Sequence, residues 1–206
     1  MTGRIQIDHF TTLDGVAQAP GGPDEDTTGG FRFGGWQAPL LDETTGEQID
    51  EGIQSMDALL LGRRTYDIFA AYWPNQVDGP ESGIARKFDA IPKYVASRGK
   101  PRLDWRDSHL LGADLAAELS VLRNRHQDIH VIGSIDFSRT LVAEGWFDCL
   151  NLWVYPIVVG AGKRLFPDDG PPASLELLAA EPASPRGAVL LRYGWKRPEP
   201  ATGTMG

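Results

Sequence analysis

Cysteine is nearly absent: Cys149 stands alone among 206 residues, which excludes an internal disulfide and any zinc site built on paired cysteines. Set in an apolar run, it reads as a small buried hydrophobe rather than a catalytic thiol. No stretch approaches the ~20 apolar residues of a membrane helix, and the N-terminus lacks the apolar core of a secretory signal, so a cytoplasmic protein without a membrane partner is expected. Positive charge is also short. Twenty Lys and Arg against 28 Asp and Glu leave a net charge of -8, and the basic residues are scattered. A nucleic-acid binder carries a basic stripe, so no such partner is expected. An anionic small ligand remains open, because its site needs only local cations and oriented backbone N–H groups. Metal-ligand spacing is missing too: His126 and His130 stand four apart, but Asp128 lies at a helix-to-strand transition between them.

What is present suffices for one sizeable core, with 41% apolar and 23% charged residues. The opening RIQIDHFTTLDG alternates Ile5 and Ile7, then breaks at Asp14-Gly15, as a strand entering a loop does. His9 on that strand faces either a ligand or the core. The loop that follows, to Trp36, is rich in Gly, Pro and acids; its length and its Phe31, Phe33 and Trp36 mark a lid with packing of its own. Leu40, Ile49, Ile53 and Met56 predict a helix over 40–56. DALLLG reads as a strand buried on both faces. RRTYDIFAAYW is a short helix stopped by Pro74, and KYVAS a short strand. The clearest amphipathic helix spans 113–125. DIHVIGS is a strand, SRTLVAEGW a helix, CLNLWVYPIVVG a long strand, and LELLAAEP and AVLLRYGW two closing strands. Residues 197–206 are expected to be a disordered tail. Strands alternating with helices, then strands alone, predict one α/β domain over 1–196: a mostly parallel central sheet, helices on both faces and a C-terminal antiparallel hairpin.

Two turns share one physical logic. At Gly62-Arg63-Arg64-Thr65 a buried strand ends in glycine and a helix begins at once. At Gly133-Ser134-Ile135-Asp136 the same occurs, with the helix a few residues later. Helix N-termini expose unpaired N–H groups and partial positive charge, and glycine lets a phosphate approach the backbone. Either glycine alone could merely serve a tight connection; two in one sheet, one with paired arginines, favour a nucleotide with several phosphates. Gly-Ala-Gly-Lys-Arg at 160–164 lacks Walker spacing and reads as a tight turn. Asp14, Asp42 and Glu43 are candidates to position a ring or relay a proton, although surface acids need no function.

LGRRTYDIF, YVAS, VIGS before a helix and DCLNLWVYPIVVGAGKRLF together resemble the dihydrofolate-reductase superfamily. The resemblance is strongest to the branch of the C-terminal reductase domain of the bifunctional riboflavin-biosynthesis deaminase–reductase. It spans the chain from TTLDG to Trp195, and Gly-x-Gly-Lys-x-Leu-Phe is its most specific part. It implies a dihydrofolate-reductase-like three-layer fold and NADPH as hydride donor. Gly62, Arg63, Arg64 and Thr65 would meet its phosphates, and Ser97 and Arg98 would clamp its 2′-phosphate. Gly133, Ser134, Ile135 and Asp136 would form the second cradle, with Val16 and Ala17 beside the nicotinamide. Trp36, Gly160 and Gly162 are placed at the substrate pocket, with Asp14 and Asp42 as candidate catalytic carboxylates. The implied activity resembles 5-amino-6-(5-phosphoribosylamino)uracil reductase, acting on a pterin or aminopyrimidine. A dihydrofolate reductase and a non-catalytic NADPH-binding module are the alternatives. A homodimer is also implied, with Trp153 and Tyr155 as an interface that core burial would explain equally well.

Overall fold

Ala58, Leu59, Leu60 and Leu61 are all fully shielded from solvent. Side chains of a strand point alternately to its two faces, and here Ala58 and Leu60 join one hydrophobic cluster while Leu59 and Leu61 join another. A strand with no polar face must therefore lie inside a sheet covered on both sides. Each leucine buried this way contributes about 1.5–3 kcal/mol.

The computed structural model describes residues 2–197 and 199–204, the side chain of Arg197 excepted. Strands are β1 (Arg4–Thr12), β2 (Ala58–Gly62), β3 (Lys93–Ala96), β4 (Ser108–Leu110), β5 (Asp128–Ile132), β6 (Cys149–Tyr155), β7 (Ser174–Pro182) and β8 (Val189–Arg197). Helices are α1 (Glu43–Ser55), α2 (Arg63–Tyr72), α3 (Ser82–Ala90), α4 (Leu115–Arg125) and α5 (Ile135–Glu144). One sheet orders the strands β4-β3-β2-β5-β1-β6-β8-β7. Pairings from β4 through β6 are parallel, and β8 and β7 close the edge antiparallel. Leu119 and Leu122 of α4 and Phe137 and Leu141 of α5 pack on one face. Ile53 and Met56, with Tyr66 of α2 and Phe88 of α3, pack on the other. The mostly parallel, three-layer expectation and its closing hairpin hold.

Several boundaries differ, each for a local reason. The first helix starts at Glu43 rather than Leu40, because the Asp42 carboxylate accepts from the Thr45 N–H and caps it; residues 38–40 form a separate 3-10 turn. Helix α5 begins at Ile135, three residues before the expected Ser138, directly after Gly133 and Ser134 in left-handed conformations. Strand β6 stops at Tyr155, since Pro156 has no N–H to offer a ladder. Helix α3 and strand β4 were not expected. Strand β8 includes Arg197, the first residue assigned to the tail; Pro198, Met205 and Gly206 of that tail lie outside the described residues.

Trp153 and Tyr155 are core. Both are buried with Val16, Phe31 and Trp36, and the Tyr155 hydroxyl accepts from Gln37 Nε2 at 2.8 Å, so neither supplies a dimer surface. Cys149 is buried as expected, and burial raises its thiol pKa.

Candidate functional site

Parallel strands that feed helices put their carboxyl ends, and the N-termini of the following helices, along one edge of the sheet. A cleft of about 2320 Å³ opens there, larger than the ~300–1000 Å³ of a typical small-ligand pocket. Gly62, Arg63, Arg64 and Thr65 line it from the start of α2, and Gly133, Ser134, Ile135 and Asp136 from the start of α5. Neither helix has a side-chain cap, whereas α1 and α4 are capped by Asp42 and Asp114. The two turns are joined directly: Gly62 N–H donates to Ser134 Oγ at 2.9 Å. Gly133, at φ +60°, and Ser134, also left-handed, compress the β5–α5 connection so that α5 starts at the cleft. Ser97 and Arg98 line its far end, beyond β3.

The cations there differ in freedom. Arg63 is tied to Asp67 at 2.6 Å, one turn along the same helix. Arg64 lies 3.8 Å from Asp26, and Arg98 makes no ion pair among the described residues. The site also includes a cation the sequence reading passed over. Lys163 lines the cleft and bonds Asp26 at 2.5 Å, so Asp26 of the long loop sits between Lys163 and Arg64. The available signal was Gly-Ala-Gly-Lys-Arg, read only for its glycines.

The long loop is a built structure. Gln18 anchors it, donating from Nε2 to the Asp26 and Thr28 carbonyls and accepting from the Lys163 N–H at 3.0 Å. Trp36 Nε1 donates to the Gln18 carbonyl at 2.9 Å. Residues Ala17 to Asp26 form a continuous wall of the cleft.

Other sequence candidates fall elsewhere. Val16, Trp36, Gly160 and Gly162 are not on the cleft wall, although Ala17 is. Asp14 is a turn staple: its carboxylate accepts from Thr12 Oγ1 at 2.6 Å and from the Gly160 N–H at 2.8 Å. Burial alone would raise its pKa, but these bonds and one from Val159 hold it below the usual range. Asp42 caps α1 and accepts from Ser184 Oγ, and the bonds from Ser184 and Thr45 lower its pKa. Neither carboxylate reaches the cleft. Asp42→Ala is expected to lower thermal stability through the lost cap while leaving ligand binding in the cleft unchanged, as paired melting curves and titrations would show.

The polar groups that do reach the cleft include His9, for which the sequence left a ligand and the core both open, and two it did not assign to a site, Asp8 and His130. His9 is 2% exposed, and burial pushes its pKa down to about 4, leaving a neutral ring with an unpartnered Nε2. Asp8 and His130 line the cleft as a pair, with Asp8 Oδ2 2.7 Å from His130 Nδ1. Burial would lower the His130 pKa, but the charge of Asp8 and the hydrogen bonds to Asp128 and Asp8 outweigh it and lift it to about 9.

Topology and cleft together define the dihydrofolate-reductase-like class: a mostly parallel sheet whose central strand ends open into a nucleotide-sized groove. Within that class the chain belongs to the family of the RibD C-terminal domain, whose profile matches residues 4–188. The uncharacterized protein YyaP of Bacillus subtilis is 26% identical over 194 residues, covering 93% of this chain and 95% of YyaP. A putative riboflavin biosynthesis protein from Shewanella sp. PV-4 superposes with a TM-score of 0.66 at 17% identity, covering 94% of this chain and 99% of that one. A pyrimidine reductase-like protein from Corynebacterium diphtheriae superposes with a TM-score of 0.61 at 15% identity, covering 95% and 92%.

Proposed function

We propose that the protein is an NADPH-dependent reductase acting on a planar aminopyrimidine or pteridine-like ring, in the manner of 5-amino-6-(5-phosphoribosylamino)uracil reductase. The observation that carries this reading is the pair of uncapped helix N-termini, α2 and α5, facing one cleft beside Arg64, Lys163 and Arg98. Unpaired N–H groups and nearby cations fit a pyrophosphate, and the loosely held arginines fit an additional phosphate. Membership of the RibD C-terminal domain family supports the same direction. Bound NADPH would supply the hydride. The residues of this chain would hold its phosphates, orient the ring through the wall formed by Ala17 to Asp26, and keep water out.

Isothermal titration with NADPH and NADH tests the cofactor. NADPH is expected to bind more tightly, and equal or absent affinity overturns the reading. Arg64→Glu is expected to weaken NADPH far more than NADH by removing a charge-assisted contact, roughly 1.5–3 kcal/mol. Equal loss of both would instead indicate damaged folding. An NADPH absorbance screen over pterins and aminopyrimidines then separates turnover from binding alone.

A further inference from the structure

Strand β1 sends Gln6, Asp8 and Phe10 to one face of the sheet, and β5 and β6 place His130, Asn151 and Trp153 beside them in register. These residues form a graded floor for the cleft. Asp8 accepts from Asn151 Nδ2 at 2.9 Å through Oδ1 and pairs with His130 Nδ1 at 2.7 Å through Oδ2. His130 is held from its other side by Asp128 at 3.4 Å, and Asp128 accepts from Gln6 at 2.6 Å and from Ser55 of α1 at 3.1 Å. Cys149 completes the ring of neighbours through Asn151.

Access separates the pair. The His130 side chain is 4% exposed and Asp8 18%, so a ligand entering the cleft meets the carboxylate first. A carboxylate oxygen has two acceptor sites, and Asn151 and His130 use one on each Asp8 oxygen, which leaves one on each for a ligand. The same cleft is lined by Phe10 and Trp153, whose rings lie 6.1 Å apart and are tilted by 50°, and by Ile49 and Ile53 of α1. Two carboxylates share one imidazolium here, so the floor does not suit an anion; the cations of the cleft sit by Asp26 instead. Aromatic and aliphatic side chains beside a fixed pair of acceptors suit a planar ring presenting two adjacent N–H donors.

We propose that Asp8 is the specificity-determining residue of the substrate half of the cleft, accepting two hydrogen bonds from adjacent N–H groups of a planar nitrogen heterocycle, with His130 as its positioning residue. This rests on the reading of the cleft as a reductase site. It assigns the donor edge of the ring to β1 and leaves Asp14 and Asp42 without a part in it.

The probes are 6-aminouracil, which has adjacent ring N–H and amino donors, and uracil, which lacks the amino group. Wild-type protein is expected to bind 6-aminouracil on the order of tenfold more tightly than uracil, and Asp8→Asn to erase that preference while keeping NADPH affinity. Equal binding of both probes by the wild type, or a preference that survives in Asp8→Asn, overturns the assignment. If Asp8→Asn does not fold, the carboxyl carbon resonance of Asp8 in the wild type decides: a shift with 6-aminouracil and none with uracil supports the proposal, and no shift overturns it. His130→Gln is expected to weaken 6-aminouracil and leave uracil unchanged, whereas a merely structural role would move both or neither. Failure of wild-type protein to bind NADPH would overturn the cofactor reading and leave the probe comparison intact.

Discussion

His130→Gln is expected to lower the melting temperature at pH 6.5 by about 10 °C and to abolish most of the loss of stability between pH 6.5 and pH 9. The imidazolium lies between Asp8 at 2.7 Å and Asp128 at 3.4 Å with almost no contact with water. Removing it leaves two part-buried carboxylates without their cation, a change that costs roughly 3–5 kcal/mol. The pH dependence has a definite sign. Folding raises this group from about 6.5 to about 9. Its contribution is therefore complete below pH 6.5 and disappears as the pH rises through 9, a total of roughly 3 kcal/mol. His9 runs the other way: folding lowers it to about 4, so stability falls as acid drives the pH from 6.5 towards 4. The two histidines together place the wild-type maximum near pH 6.5, and His130→Gln keeps the acid limb that His9 supplies. One contact favours a neutral ring, since the Gln6 amide nitrogen sits 3.1 Å from His130 Nε2. Two carboxylates outweigh one amide dipole, and an alkaline limb in the melting curves is the direct sign of that balance. A wild-type profile flat from pH 6.5 to 9 would show that the amide wins.

Gly162→Ala is expected to be the most damaging change in the Gly-Ala-Gly turn, lowering the melting temperature by about 10 °C, whereas Gly160→Ala costs about 3 °C. Both glycines have positive φ, +139° at Gly162 and +80° at Gly160. A methyl at Gly160 would meet nothing within 4 Å, so only backbone strain opposes it. At Gly162 the added carbon would lie 2.5 Å from Val16 Cγ1 and 2.9 Å from Phe31, both buried under the long loop. Strain and overpacking together cost roughly 3–5 kcal/mol there. Displacing Val16 and Phe31 also loosens the loop that walls the cleft, so NADPH affinity is expected to fall with stability in Gly162→Ala and to hold in Gly160→Ala. Equal melting shifts in the two variants would sink this account. Gly162 thus matters to the site from behind, as the residue that allows the loop to seat.

The parts legible in advance were those set by local chemistry. Leu59 to Leu61 could only be a doubly covered strand, and Gly62 and Gly133 marked two strand-to-helix turns that the fold brings within one hydrogen bond of each other. Two other candidates lie off the cleft wall for a different reason. Asp14 and Asp42 were noticed because acids near a loop can act on a ligand, but a carboxylate beside free backbone N–H groups is captured by them, as Gly160 and Thr45 show. Asp8 and His130 were missed because they lie 122 residues apart and each looks ordinary alone. An alternating strand such as Ile5-Gln6-Ile7-Asp8 shows which residues share a face, but not whether the polar face meets water, a neighbouring strand or a ligand cleft.

The sequence by itself determined the class of fold, the two glycine-ended strand-to-helix turns and the chain's family, because hydrophobic period, glycine placement and short motifs are properties of neighbouring residues. The tertiary structure alone decided that β1 lies at the centre of the sheet between β5 and β6. That position turns Asp8 from a surface acid into the floor of a cleft, since a side chain's role there depends on strands that pair with it from far along the chain.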